Sequence, residues 1–168
     1  MSILNDEDFE NGRYKISLDP EQETDLNDTI QTVEDEILPQ LFGVELYDLF
    51  IADLVAGVPQ SARFVTIFEP FNDQTNGCIT QSQGMKVMLK GYTYYDYVRD
   101  TNGAVTTNGT KNTISENSTD MNGIQYDLTS RYNDGVRNYK AIQTYMASID
   151  PDTYPEYDGT PQPFNHIF

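Results

Sequence analysis

The spacing of apolar residues after Pro20 constrains the fold more than any other feature of this sequence. Between residues 21 and 41 the apolar positions recur every three or four residues, at Leu26, Ile30, Val33, Ile37 and Leu41. Such spacing places the side chains on one face of an α-helix, whereas a strand requires alternation. Pro20 suits the first turn of that helix and Pro39 should kink or end it. We therefore expect a helix over residues 21–41.

Three further segments have helical spacing. Residues 44–55 follow Gly43 and should end before Gly57, and a short segment covers residues 62–68. A fourth helix should begin near Ser82, which is a good N-cap, and run to about Asp100.

Within the fourth helix, Gly91 costs helix propensity and indicates close packing against another helix. Residues 71–80 contain Asn-Asp and Asn-Gly pairs, which favour a loop.

Residues 101–123 interrupt the helical pattern with a segment rich in Asn, Thr, Gly and Ser. Within it, the Asn108-Gly109 pair lies between β-prone residues 105–107 and 110–114, which is a strong hairpin signal. An isolated two-stranded hairpin is barely stable in water, so this one needs a surface to lie against. We predict a protruding hairpin or extended loop that contacts a neighbouring subunit, through Val105, Thr106, Asn108, Gly109 and Ile114.

A long helix is predicted over residues 124–148, and Pro151 and Pro155 end it. The tail that follows, residues 150–168, carries five large apolar side chains, namely Tyr154, Tyr157, Phe164, Ile167 and Phe168. Its prolines prevent a helix, so these side chains must be buried against another surface. We predict docking in trans, on a partner or an adjacent copy, and the alternative is that the tail folds back over its own helices.

Charge restricts the class of partner. The chain has a net charge of -17, and residues 1–48 hold fourteen carboxylates against Arg13 and Lys15. Nucleic-acid binding and binding to anionic membranes both require an excess of cations, so such a surface disfavours them. An acidic surface serves solubility, and it also suits a passage through which DNA slides without sticking.

The residues that usually carry catalysis or bind metals are scarce. His166 is the single histidine and lies in the tail, while Cys78 is the single cysteine and lies in a predicted loop. The series Asp150, Asp152 and Asp158 lacks the glycine and the distal glutamate of a calcium loop. No phosphate-binding loop or nucleophile elbow is present. We expect no enzymatic activity, no cofactor and no metal site, and no apolar run long enough for a membrane span or a signal peptide.

Several phrases occur in an informative order. Residues 38–54, LPQLFGVELYDLFIADL, precede a Tyr-rich helix, GMKVMLKGYTYYDYVRD, and a polar loop with a Thr-x-x-Gly phrase and Glu-Asn-Ser. A long helix from Tyr132 to Tyr145 and a Tyr-Pro-Glu-Tyr phrase follow. Together, over residues 25–158, they resemble the small helical head-to-tail connector (adaptor) proteins of tailed bacteriophages.

The resemblance implies a structural virion protein of the neck, made in the host cytoplasm. It implies a ring, usually dodecameric, that binds the portal protein and the next neck or tail component and extends the DNA channel. The expected fold is mainly α, a bundle of four to five helices with one inserted β-hairpin or extended loop. Its parts would be an N-terminal arm (1–20), a helical connector domain (21–149) and an extended C-terminal docking tail (150–168).

A second hypothesis belongs to a different functional class. Small acidic proteins can mimic nucleic acid, so the chain could be a phage-encoded binding or inhibitor protein that acts on a host protein. This hypothesis predicts a compact monomer or dimer that has no use for an apolar tail.

Overall fold

The structure is a computed structural model that describes residues 2–16, 23–74, 79–102, 105–106, 109–110 and 121–159. Within these ranges the chain is mainly helical. The α-helices are α1 (Glu23–Phe42), α2 (Val44–Asp53), α3 (Ala62–Phe68), α4 (Met85–Asn102) and α5 (Met121–Thr144). The strands are β1 (Leu54–Val55), β2 (Val58–Pro59), β3 (Phe71–Asp73), β4 (Thr80–Ser82), β5 (Val105–Thr106) and β6 (Gly109–Thr110).

Helices α4 and α5 form the most extensive contact between elements, and α1 packs mainly on α4. The apolar stripe predicted for the first helix is buried in full, at Leu26, Ile30, Val33, Ile37 and Leu41. On α5 the buried side chains include Tyr132, Val136, Tyr139 and Ile142, which recur at helical spacing. The hydrophobic effect of covering these stripes therefore holds the helices together.

The predicted role of Gly91 is confirmed. A Cβ atom at Gly91 would lie 2.7 Å from the carbonyl oxygen of Arg131 and 2.9 Å from the backbone nitrogen of Gly135. The two helix backbones meet at this point because neither residue 91 nor residue 135 has a side chain. Beside the crossing, Tyr132 stacks edge-on against Tyr92 at 5.5 Å between ring centroids. Burial, with Tyr95 and Asp96 nearby, raises the pKa of Tyr132 to about 12, so its phenol is neutral.

The N-terminal segment belongs to the core instead of forming a separate arm. Ile3, Leu4 and Phe9 are buried, and Asn5 caps the 3-10 turn Asp6–Phe9. The buried carboxylate of Glu34 accepts hydrogen bonds from the backbone nitrogens of Ile3 and Leu4, the latter at 2.8 Å. These contacts fasten the start of the chain to α1.

Three sequence-based boundaries need correction. Helix α1 continues past Pro39 to Phe42. Strand β3 begins at Phe71, inside the range where we expected a loop, and pairs antiparallel with β4, with Phe71 opposite Ser82. Helix α4 begins at Met85 and not near Ser82, because Ser82 ends β4 and its hydroxyl binds Asn138 on α5 at 3.0 Å.

Strands β1 and β2 form a hairpin that the sequence did not predict. Val55 pairs with Val58 across residues 56 and 57, and both of these residues have positive φ. The hairpin lies against the N-terminal segment, since a Cβ atom at Gly57 would stand 2.5 Å from the backbone oxygen of Ser2. A glycine is required there on both grounds.

The predicted hairpin of the polar insertion is present. Strands β5 and β6 pair antiparallel, with Val105 opposite Thr110 and Thr106 opposite Gly109. Residues 107 and 108 connect them, so Gly109 pairs within a strand instead of occupying the connection as predicted. Residues 111–120 and the end of the tail, 160–168, lie outside the described residues.

Candidate interaction surfaces

The polar insertion is located at one end of the α4–α5 pair, because it joins the last turn of α4 to the first turn of α5. The helix residues beside it are exposed on both sides: Arg99, Asp100 and Thr101 on α4, and Tyr126 and Asp127 on α5. Tyr126 is 75% exposed, which is unusual for a large aromatic side chain in a helix. The exposed ring of Tyr126 and the polar insertion are therefore both connected to the same end of the α4–α5 pair.

Of the five residues predicted to contact a neighbouring subunit, Val105, Thr106 and Gly109 lie in the paired strands β5 and β6. Asn108 and Ile114 are outside the described residues. The prediction that this insertion contacts another subunit remains a proposal.

The first half of the tail packs on its own chain, which corrects the expectation of docking in trans for that half. Tyr154 is only 2% exposed, and its hydroxyl donates a hydrogen bond to the carbonyl oxygen of Arg63 at 2.5 Å. Burial raises the pKa of Tyr154, so the phenol keeps the proton that it donates. The π-helical turn Tyr145–Ile149 and the 3-10 turn Pro151–Thr153 direct the chain back toward α3.

The contacts continue to the end of the described segment. Glu156 forms an ion pair with Arg63 at 3.3 Å, and the backbone nitrogen of Asp158 donates to the carbonyl oxygen of Phe42. Tyr157 is half-buried against the core. The remaining predicted docking residues, Phe164, Ile167 and Phe168, are outside the described residues.

A cationic surface lies on the outer side of α5. We give this name to Arg13, Arg137 and Lys140, which are all exposed. Arg13 forms an ion pair at 2.7 Å with the buried carboxylate of Asp134, and Arg137 pairs with the same carboxylate from one turn further along the helix. Arg13 also donates to the hydroxyl of Ser130 at 2.7 Å. The N-terminal segment therefore contributes a cation to a surface that is otherwise formed by α5.

Arg131 contacts the backbone of Arg13 and the ring of Tyr94 and so fixes the position of Arg13. Its Nε donates to the carbonyl oxygen of Arg13 at 2.7 Å, and its guanidinium lies 4.3 Å from the centre of the Tyr94 ring. Its own charge is paired with Asp127 at 3.4 Å. Of the ion pairs in the described part of the chain, those of Asp134 are with Arg13 and Arg137. The cationic surface has three positive charges and Asp134 supplies one negative charge, which leaves an excess of two.

A groove adjoins the cationic surface. It has a volume of about 510 Å³ and runs between β4 and α5, with Arg137, Lys140 and Asn138 on the helix side. Gln81 and Gln83 line the strand side, and the exposed Ile79 stands at one end. The side-chain oxygen of Asn138 accepts hydrogen bonds from the hydroxyl of Ser82 and, at 2.6 Å, from the backbone nitrogen of Gln83. These bonds fix the Asn138 side chain in the groove. The helix side of the groove therefore carries two exposed cations, Arg137 and Lys140.

The outer face of α1 is acidic. We call Asp25, Asp28, Asp35 and Glu36 the acidic face, and all four are exposed on the side of α1 that turns away from the core. The acidic residues and the buried residues of α1 both recur at helical spacing, so the two sets lie on different faces of the helix. No cation on α1 balances them.

Four exposed apolar residues lie on α2 and the β1–β2 hairpin, namely Val44, Leu49, Val55 and Val58. Val44 is 77% exposed and begins α2, next to the point where Asp158 contacts Phe42. Exposed apolar side chains that do not form a continuous patch are ordinary on protein surfaces.

The buried ionisable groups have structural roles. Burial raises the pKa of Glu34, although its backbone and Ser2 hydrogen bonds and the N-terminal charge act in the opposite direction. Asp134 is neutralised by two arginines. Among the residues that the structure describes, no cluster of His, Cys, Asp and Glu side chains is arranged to hold a metal ion. Cys78 and His166 lie outside the described part of the chain.

In the described ranges, none of the helices combines the length and the hydropathy that crossing a bilayer requires. No family model, no curated protein and no solved structure matches the chain.

Proposed function

We propose that this chain is a structural subunit of the head-to-tail connector of a tailed bacteriophage. Copies of it form a ring on the portal protein, extend the DNA channel and present a platform to the next neck or tail component. The protein acts by assembly and carries out no chemical reaction. Its place is the neck of the virion, after synthesis in the host cytoplasm.

The observation that carries the proposal is the position of the polar insertion. A hairpin of two-residue strands lies in the segment that joins α4 to α5, and Tyr126 in the second turn of α5 is exposed. Such a hairpin gains stability from a surface that it can lie against, and a neighbouring subunit in a ring supplies one. The rest of the described chain, including Tyr154, is packed on a single core, as a rigid ring component requires.

The charge of the chain agrees with this role. The chain has 27 acidic and 10 basic residues, an excess that repels phosphate, and a channel for DNA must not bind its cargo. With a net charge of -17, free copies also repel one another, so we expect the ring to form on the portal and not in free solution.

Electron microscopy of the protein mixed with the portal of the same phage tests the proposal. We expect an added ring of density, coaxial with the portal channel and with the symmetry of the portal. Portal particles without added density, under conditions where both proteins are folded, would refute it.

The acidic face supports one alternative, a small acidic protein that binds a basic surface of a host protein. Four exposed carboxylates on one helix face could imitate a row of phosphates. In that case the protein would be captured by a host nucleic-acid-binding protein, and the portal would not retain it.

A further inference from the structure

We propose that the cationic surface of one copy binds the acidic face of α1 on the next copy. The inference rests on the ring proposed above and names the two surfaces that meet within it. In a ring every subunit contacts its neighbours through two different surfaces, so these surfaces must be complementary to each other.

The negative charge of the chain limits the surfaces through which two copies can attract each other. The chain has 27 acidic and 10 basic residues, so two copies brought together at random repel each other. On the cationic surface, Arg13 and Arg137 share a single buried carboxylate, that of Asp134, and the exposed Lys140 lies one helical turn beyond Arg137. Here a second copy of an acidic protein is attracted, and complementary potentials determine which orientation is productive.

The groove gives this surface a shape that a helix face can enter. Lys140 and Arg137 lie one helical turn apart on its wall, and the exposed Ile79 offers apolar area at its end. On α1, Asp28 and Asp35 are separated by two helical turns, or about 10 Å. This spacing is longer than the single turn between Arg137 and Lys140, but lysine and arginine side chains are long, so we expect the two carboxylates to contact separate cations of the surface.

The cations are available for such a contact. The side chain of Arg137 is 59% exposed and that of Arg13 is 52% exposed, although both already touch Asp134. Their other donor atoms can bind a carboxylate of the next copy without breaking the internal ion pairs, because a guanidinium carries five N–H donors.

Charge reversal tests the pairing. One variant carries Arg137→Glu and Lys140→Glu, and the other carries Asp28→Lys and Asp35→Lys. Each variant alone, mixed with portal, should give at least tenfold fewer complete rings by native mass spectrometry. An equimolar mixture of the two should restore rings, because every interface then joins opposite charges when the variants alternate.

A matched control excludes a mere effect of net charge. Glu7→Lys with Glu10→Lys changes the charge by the same amount as the α1 variant, at exposed positions outside both surfaces. It should assemble as the unaltered protein does. If circular dichroism shows that the variant with Arg137→Glu is unfolded, Lys140→Glu alone replaces it. This single change leaves the Asp134 ion pairs intact and should still reduce the number of rings.

Rings formed normally by both reversed variants would overturn this pairing while the ring itself remained established. Folded variants that fail alone and also fail when mixed would overturn it as well. Failure of the unaltered protein to form rings on the portal would instead overturn the proposed function.

Discussion

A single hydrogen atom in place of a side chain determines how closely α4 and α5 approach. At Gly91 the neighbouring helix lies within 3 Å of where a Cβ would stand, and the contacting atoms belong to the backbone of Arg131 and Gly135. Backbone cannot move aside as the end of a flexible side chain can. The sequence indicated this contact because a glycine inside an otherwise regular helix needs a packing reason.

We predict that Gly91→Ala destabilises the protein by about 1–3 kcal/mol, the usual range for overpacking. Alanine would otherwise favour the helix by about 1 kcal/mol, so the sign of the effect distinguishes packing from propensity. Urea unfolding measures it. Gln31→Ala, at an exposed position of α1, should change the stability by no more than about 0.5 kcal/mol. A Gly91→Ala protein that is more stable would show that the helices are further apart.

Asp8 connects the N-terminal segment to α4. It forms ion pairs with Lys90 at 3.0 Å and Lys86 at 3.3 Å. Burial acts to raise the pKa of this carboxyl, but the hydrogen bond and charge of Lys90 and the charge of Lys86 outweigh it. The pKa therefore lies below its ordinary value.

This lowered pKa determines the pH dependence of an Asp8→Asn variant. The folded state binds the proton less readily than the unfolded state, so the stabilisation is present above the ordinary pKa of 3.8 and is lost as the pH falls through the folded value. At pH 7 we expect a loss of about 1–2 kcal/mol, reduced by solvent screening. The difference from the unaltered protein should vanish at pH values below the folded pKa.

Glu7→Gln, which removes the same charge from an exposed neighbour, provides the control. It should show no comparable loss at neutral pH. If the deficit of Asp8→Asn stayed constant down to the acid transition, the ion pairs would not be its origin.

At the scale of elements, the helices and the hairpin of the polar insertion were predictable, and the β1–β2 and β3–β4 pairs were not. Apolar spacing identified all five helices, because a buried stripe on a helix leaves a clear period in the sequence. Strands of two or three residues, such as β1 and β3, are too short to show alternation. Pro39 lies inside α1, and the helix ends just before Gly43 instead. The backbone nitrogen of Gly43 donates to the carbonyl oxygen of Pro39 at 2.9 Å.

The C-terminal segment allows a prediction about two truncations. Ending the chain after Asp152 removes Tyr154 and the Arg63–Glu156 ion pair. We expect a loss of about 3 kcal/mol or more, comparable to emptying a buried aromatic site. The melting temperature should fall by several degrees, since each kcal/mol corresponds to about 2–4 °C in a domain of this size.

Ending the chain after Gly159 keeps every described contact of the segment. We expect its melting temperature to stay unchanged, while its affinity for portal falls if Phe164, Ile167 and Phe168 dock in trans as proposed. Equal melting temperatures for the two truncated proteins would show that Tyr154 does not belong to the core.

At the scale of the whole molecule, the surfaces depend on contacts that no local pattern reveals. Arg13 and Ser130 are 117 positions apart, yet they meet on the cationic surface. The sequence contained one signal of this, since Arg13 and Lys15 are the only cations among the first 48 residues. The position of Arg13 depends on the contacts of the N-terminal segment with Glu34 and α4. These contacts are long-range and are visible only in the folded structure.

The insertion carries the prediction that belongs to assembly. Replacing residues 104–115 by a short Gly-Ser linker should leave the helical circular dichroism largely intact, since the core contacts of α4 and α5 lie beyond it. The same change should abolish rings on the portal. A ring that forms normally without the hairpin would remove the insertion from the interface.

Native mass spectrometry of the unaltered protein, with and without the portal ring, tests the central claim most directly. Alone, the protein should be monomeric or weakly associated, because its net charge of -17 opposes self-contact. With portal, we predict a complex in which one ring of subunits, most simply twelve on a dodecameric portal, is added to the portal mass. A stable dimer whose mass is unchanged by portal would contradict the account and favour a binding protein that acts on a host partner.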